Sequence, residues 1–213
     1  MFGAIMLSLR RCGTVLVLVL CALGACGKQQ GRERHLPPYD LQRLLAERAG
    51  KDRSLALSPD SPIPDSLRHR FTGLAYYLPD TSLRFFVALE HLPTGPAVSI
   101  PASGGETRRM TRYGRLHFTS GATACTLTAY IAAEHPSQLF VPFIDGTSGT
   151  ETYEAGRYID LERTPDDHYL LDFNRAYNPY CAYNASYSCP RVPRENVLVV
   201  PIRAGERNGE FTH

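Results

Sequence analysis

Two stretches of this chain concentrate side chains able to move protons or hold charged groups. The first, Asp145-Gly146-Thr147-Ser148-Gly149-Thr150-Glu151-Thr152-Tyr153, follows the apolar run Phe140–Ile144. Carboxylates and hydroxyls around two glycines, in a loop leaving a strand, suit acid/base work or ligand contact, because loops on a rigid scaffold commonly carry function. They equally suit a tight turn whose Asp and Thr side chains satisfy backbone donors. Ser148 is not a nucleophile elbow, since Gly149 follows it directly and no strand-to-helix turn is expected there. The second stretch, Asp172-Phe173-Asn174-Arg175-Ala176-Tyr177-Asn178-Pro179-Tyr180-Cys181, leads towards Glu206. Asp145, Glu151 and Asp172 are the candidate catalytic carboxylates. Tyr153, Arg157, Asn174, Asn178 and Glu206 are the candidate ligand contacts.

Arg157 and Asp172 are the sharpest pair. If a hairpin turns at Arg163-Thr164-Pro165-Asp166, with paired positions summing to about 329, Arg157 faces Asp172, Ile159 faces Leu170 and Gly156 faces Phe173. Apolar pairs then fall together on both faces, which a one-residue slip would scramble. Such a pair holds a substrate carboxylate, or is a structural ion pair. In the first case Asp145, Glu151, Tyr153, Arg157, Asp172 and Asn174 are expected to line one cavity, the Arg fork keeping spare donors for an anion.

Cysteines add a second chemistry. Cys125 shares a strand face with Leu127, Ala129 and Ile131 and reads as a small buried hydrophobe. Cys181 and Cys189 close a short loop, and a disulfide there would stabilise by roughly 2.5 kcal/mol. A metal is the rival, but the wide spacing lacks the close Cys pair of zinc sites. The seven histidines, His35 and His213 among them, form no ligand pattern. No phosphate-binding or dinucleotide fingerprint appears, so neither metal nor cofactor is implied.

The start of the chain gives an address. Arg10 and Arg11 precede an apolar run from Val15 to Leu23, which ends in Leu23-Gly24-Ala25-Cys26. That is the layout of an export signal, and the run is far short of the roughly 20 residues that cross a bilayer. Leu-Gly-Ala-Cys resembles a lipobox, so residues 1–25 are expected to be removed and Cys26 acylated. Residues 26–38 then form a lipidated tether to a cell envelope, at the outer membrane in a Gram-negative cell. The signal carries two of the 23 basic residues and none of the acidic ones, leaving 21 of each sign. With no basic patch, nucleic acid is not an expected partner.

The elements that would position these groups are mostly strands. Leu41, Leu44, Leu45 and Arg48 repeat at helical spacing, with Asp40 to cap and Gly50 to end one short N-terminal helix. A proline-dense extended loop follows at Ser58–Pro64. Strand-like runs are Phe71–Tyr77, Leu83–His91, Ala97–Pro101, Thr107–Phe118, Ala124–Ala132, Leu139–Ile144, Arg157–Leu161, Tyr169–Phe173 and Val197–Ile202, separated by turn signals. The expectation is a mainly β, single-domain antiparallel sandwich or partly open barrel over residues 39–207, with a tail at 208–213.

The blocks Phe-Val-Pro-Phe-x-Asp-x-Thr-Ser-Gly-x-Glu-Thr-Tyr, Gly-Arg-Tyr, Asp-Phe-Asn-x-Ala-Tyr-Asn-Pro-x-Cys-Ala-Tyr and Ala-Gly-Glu resemble the bacterial and archaeal domain of unknown function 1684 over Tyr39 to Arg207. The resemblance implies no activity. The residues favour a small-ligand or partner-binding module with an anionic ligand. Metal-independent acid/base or hydrolytic catalysis is the alternative, and a structural part in envelope assembly the third. Oligomeric state is not legible in the chain.

Overall fold

The computed structural model describes residues 36–93 and 95–212. The expected export signal, Cys26, most of the expected tether, His35 and His213 lie outside the described residues. Helix α1 (Leu41–Leu57) starts where expected: the Asp40 carboxylate accepts the Arg43 N–H at 2.9 Å. It does not stop at Gly50. A mid-helix glycine costs only about 1 kcal/mol, and the helix is held further on by Leu55, which packs with Ile63 and Tyr183. Its only buried residues are Leu44 and Leu55. The proline-dense loop leads into one short turn of helix, α2 (Asp65–Arg68).

Seven strands follow: β1 (Arg84–His91), β2 (Val98–Pro101), β3 (Thr107–Ser120), β4 (Thr123–Ala132), β5 (Gln138–Phe143), β6 (Arg157–Glu162) and β7 (His168–Asp172). They form one antiparallel sheet in the order β6-β5-β4-β3-β1-β7, nearly closed into a barrel, with β2 extending β3 beyond β1. The mainly β, single-domain expectation holds. Alternate residues point inwards, so Leu116, Leu127, Leu139, Val141, Phe143, Ile159 and Leu171 are buried in one core, as is Cys125. Phe173 sits at its centre against Phe143, Phe118 and Phe85 at 5.2, 5.4 and 6.0 Å between ring centres. Each fully buried side chain of this size is worth roughly 1.5–3 kcal/mol.

The 329-sum hairpin does not exist. β6 pairs with β5 (Val141 opposite Ile159, Phe143 opposite Arg157), and β7 pairs with β1 (Arg84 opposite Asp172). The physical reason lies at the seam. The free edge of β6 is taken by Tyr177, which exchanges two backbone hydrogen bonds with Tyr158 at 2.9 and 3.0 Å. Period-two apolar patterns specify which side of a strand is buried, not which neighbour it takes. For the same reason Phe71–Tyr77 and Val197–Ile202 are not strands. Phe71 and Leu74 pack on the Leu55, Ile63 and Tyr183 cluster, Leu198 and Ile202 join the barrel core, and single bridges such as Tyr76 with Glu206 and Ile144 with Val197 tie the two segments on.

Candidate functional site

The expected single cavity is not formed, because its members fall into separate places. Asp145 and Arg157 make a buried strut at the end of β5 and the start of β6, with side chains 0% exposed. Asp145 Oδ1 accepts the Thr147 N–H, the Thr147 hydroxyl and the Ile202 N–H, while Oδ2 accepts Arg157 Nη2 at 2.8 Å. The other Arg157 donors bind the carbonyls of Ile202, Ala204 and Glu206, and only Nε, itself buried, is left over. Arg157 therefore presents no donors to a ligand, and its partner is Asp145 rather than Asp172. Asp172 instead meets Arg84 at 3.2 Å and caps the turn at Phe173–Arg175 through the Asn174 N–H. The Asn174 side chain is spent on Asp172 and on both backbone groups of Asp80. Glu151 lies at the surface in a two-pronged pair with Arg203, held below the usual carboxylate range by it, and accepts from Tyr77. Tyr153 donates to Cys181 Sγ at 3.9 Å, and burial with the Cys181 sulfur pushes its hydroxyl up to about 12.

Glu206 is the exception. It is 2% exposed yet forms the floor of a cleft of about 170 Å³ between α1 and the segment Asn174–Tyr177. Its position follows from Gly205, whose φ is +77°. A Cβ there would stand 2.5 Å from the Ala176 carbonyl oxygen, so only glycine lets the chain cross Ala176 this closely. The Glu206 N–H then bonds that carbonyl at 2.9 Å. Glu206 Oε2 accepts the Asn178 N–H at 2.8 Å and the Tyr183 hydroxyl at 2.6 Å, and Oε1 takes Lys51 Nζ at 2.5 Å. Burial and the Glu206 charge raise the Tyr183 hydroxyl well above its ordinary value, fixing it as a donor.

The walls of the cleft carry cations. Arg48 donates to the carbonyls of Tyr77 and Asn174 at 3.0 and 3.1 Å and lies over the Tyr76 ring at 4.4 Å. Its Nε is buried without a partner, and burial lowers the guanidinium's pKa. Lys51 Nζ sits 4.9 Å from the Tyr177 ring centre, and Arg175 pairs with Glu47 at the rim. Beyond Lys51 and Tyr177, which line both, a wider open groove of about 710 Å³ continues past Phe140, Tyr158 and Tyr180. Its rings pack edge to face, Phe140 on Tyr158 at 4.7 Å and Tyr158 on Tyr177 at 5.8 Å. Tyr177 also donates to Asp160 at 2.6 Å. An ammonium with one of three donors engaged, between a buried carboxylate and a ring face, is suited to accept an anion from the groove.

Of the expected site residues, the structure brings Asn174 and Glu206 to this cleft, and Asn178 only through its backbone. Arg48, Lys51, Tyr76 and Tyr177 were not among them. One signal was available: Arg48 stands four residues after Leu44 on the same helix face, and a cation on an inward-facing helix position needs a partner inside. Among the described residues, no group of three or more His, Cys, Asp or Glu is placed to hold a metal.

A family model described as a protein of unknown function (DUF1684) matches residues 69–207. An uncharacterized protein of Haloarcula marismortui, solved by solution NMR, is 37% identical to this chain, with a TM-score of 0.63. The match covers 78% of this chain and 93% of that one. No curated protein matches.

Proposed function

Since the chain belongs to the DUF1684 family, to which no function is attached, we propose from its cleft that it is a small-ligand-binding module for an organic anion carrying a planar or apolar group. The observation that carries this reading is Lys51, poised at the junction of a cationic cleft and an aromatic groove. The anionic end, a carboxylate or phosphate, meets Lys51, with the Arg48 guanidinium adding positive charge to the cleft wall. The ring or apolar end lies along Phe140, Tyr177 and Tyr180. Glu206 orients Lys51. The cell envelope is the proposed location, through acylation of Cys26, which would hold the cleft outside the cytoplasm.

Thermal unfolding in a panel of benzoate, phenyl phosphate, hexanoate and inorganic phosphate tests this reading. An anion that binds only the folded state raises the midpoint by a few degrees at concentrations well above its Kd. The rise is expected with the aromatic anions, and is expected to vanish in Lys51→Met. No rise with any probe, or an equal rise in Lys51→Met, would overturn the reading.

A further inference from the structure

Outside the cleft, two sulfurs are held side by side. Cys181 lies in the single helical turn Tyr180–Ala182, fixed by the Ala182 N–H on the Pro179 carbonyl at 2.9 Å. Cys189 is brought to it by the turn between β2 and β3. Its N–H bonds Ser103 Oγ at 3.0 Å, and its carbonyl accepts the Ser103 N–H at 2.9 Å. The Cys181 N–H in turn donates to Cys189 Sγ at 3.3 Å. Tyr153 donates its hydroxyl to Cys181 Sγ. Both thiols are free, Cys181 buried and Cys189 half-buried.

We propose that Cys181 and Cys189 form an oxidisable dithiol in which Cys181 attacks a hydroperoxide and Cys189 resolves the product into a disulfide. The roles follow from the donors. Cys181 sulfur receives side-chain hydrogen bonds, from the Cys189 thiol first and then from the Ser103 and Tyr153 hydroxyls, which outweigh its burial and bring it down to about 6, whereas Cys189 sulfur receives backbone N–H groups. Cys189, the donor, is correspondingly raised. These donors favour the thiolate on Cys181, and the thiolate is the nucleophile. It attacks one peroxide oxygen and the O–O bond breaks. The leaving hydroxide (an alkoxide from an organic hydroperoxide) takes a proton and departs as water (or the alcohol), and Cys181 becomes a sulfenic acid. The Cys189 sulfur then attacks Cys181 Sγ, its proton passing to the departing hydroxyl. The S–O bond breaks, a water leaves and the S–S bond forms. Two thiols lose two electrons in all, and the peroxide oxygens gain them. No third ligand stands among the described residues to make the pair a metal site instead.

Cys125 is the internal control. It is as enclosed as Cys181, each 7% exposed, but burial raises its thiol. The test uses the full chain, reduced with dithiothreitol, desalted and treated with one equivalent of hydrogen peroxide at pH 7. Peptides are then mapped by mass spectrometry after alkylation without reduction. The expected product is a Cys181–Cys189 crosslink that dithiothreitol reverses, formed several-fold faster than Cys125 is oxidised. In Cys189→Ser, a dimedone adduct should accumulate on Cys181. In Cys181→Ser, Cys189 should react no faster than Cys125. Oxidation of Cys181 no faster than that of Cys125, or no crosslink in the wild type, would overturn the proposal. A crosslink formed as fast as expected, without the dimedone adduct in Cys189→Ser, would overturn the assigned roles. None of these readouts involves the anion cleft, so either proposal can fail alone.

Discussion

Arg157 is the residue whose chemistry is most easily misjudged. Its spacing suits anion binding, yet four of its five donors are consumed inside the protein by Asp145 and the carbonyls of Ile202, Ala204 and Glu206. A guanidinium so used ties β5, β6 and the C-terminal segment together. Arg157→Met leaves Asp145 as an uncompensated buried charge, and is expected to cost about 3–5 kcal/mol in urea unfolding. A loss below about 1 kcal/mol would show that the strut carries little. Asp52 gives a pH signature of opposite character. Its carboxylate accepts the Leu74 N–H at 3.1 Å, but burial raises its pKa above the ordinary 3.8. The folded state thus holds the proton to higher pH than the unfolded one, so this group's contribution to stability falls as pH rises from 3.8 through the raised value. The difference between wild type and Asp52→Asn, followed by urea midpoints from about pH 3.5 to 6, is expected to shift in favour of the variant as pH rises. A flat difference would remove the burial argument.

At the level of elements, the sequence pattern served well where it reports burial and poorly where it must name neighbours. The runs that became β1 to β7 were legible because a half-buried strand imposes period two on its own side chains. Pairing was not, since Leu170 and Leu171 satisfy a partner on either edge equally. Nothing local announces that Tyr177 will occupy the seam beside Tyr158. The helix was legible at Asp40, where the cap is a local bond. Its extension past Gly50 depended on Leu55 finding Ile63 and Tyr183, which no local signal reports. That extension matters, for it carries Lys51 to the cleft. Gly205 is the other element-scale determinant. Gly205→Ala adds strain at a φ of +77° and a clash with the Ala176 carbonyl, and is expected to cost about 2 kcal/mol or more while displacing Glu206. Thermal unfolding measures the first effect. A stability equal to wild type would mean that the crossing relaxes freely.

Across the whole molecule, the barrel is a frame on which four separated sequence blocks converge. Asp145, Arg157, Asn178 with Tyr183, and Glu206 are joined through the C-terminal segment 202–206, although only Glu206 lines the cleft. The Asp145–Arg157 strut sets the path of that segment, Gly205 lets it cross Ala176, and Glu206 holds Lys51 at the meeting of cation and rings. The sequence disclosed Asp145, Arg157, Asn178 and Glu206 of this chain of contacts but not Lys51, Tyr183 or Gly205, and it centred ligand binding on Arg157, with Glu206 as one candidate contact among several. Two measurements belong at this scale. Cys26→Ser is expected to move the protein from the membrane to the soluble fraction, since acyl chains supply the anchor; retention on membranes in high salt would refute the lipid tether. The central claim is tested most directly by titrating phenyl phosphate into isotopically labelled protein and mapping amide shifts. The account predicts saturable shifts confined to residues 47–51, 76–77, 140, 174–180 and 206, with affinity weakened at least tenfold, about 1.4 kcal/mol, in Lys51→Met. Shifts centred elsewhere, or an affinity that Lys51→Met leaves unchanged, would contradict it.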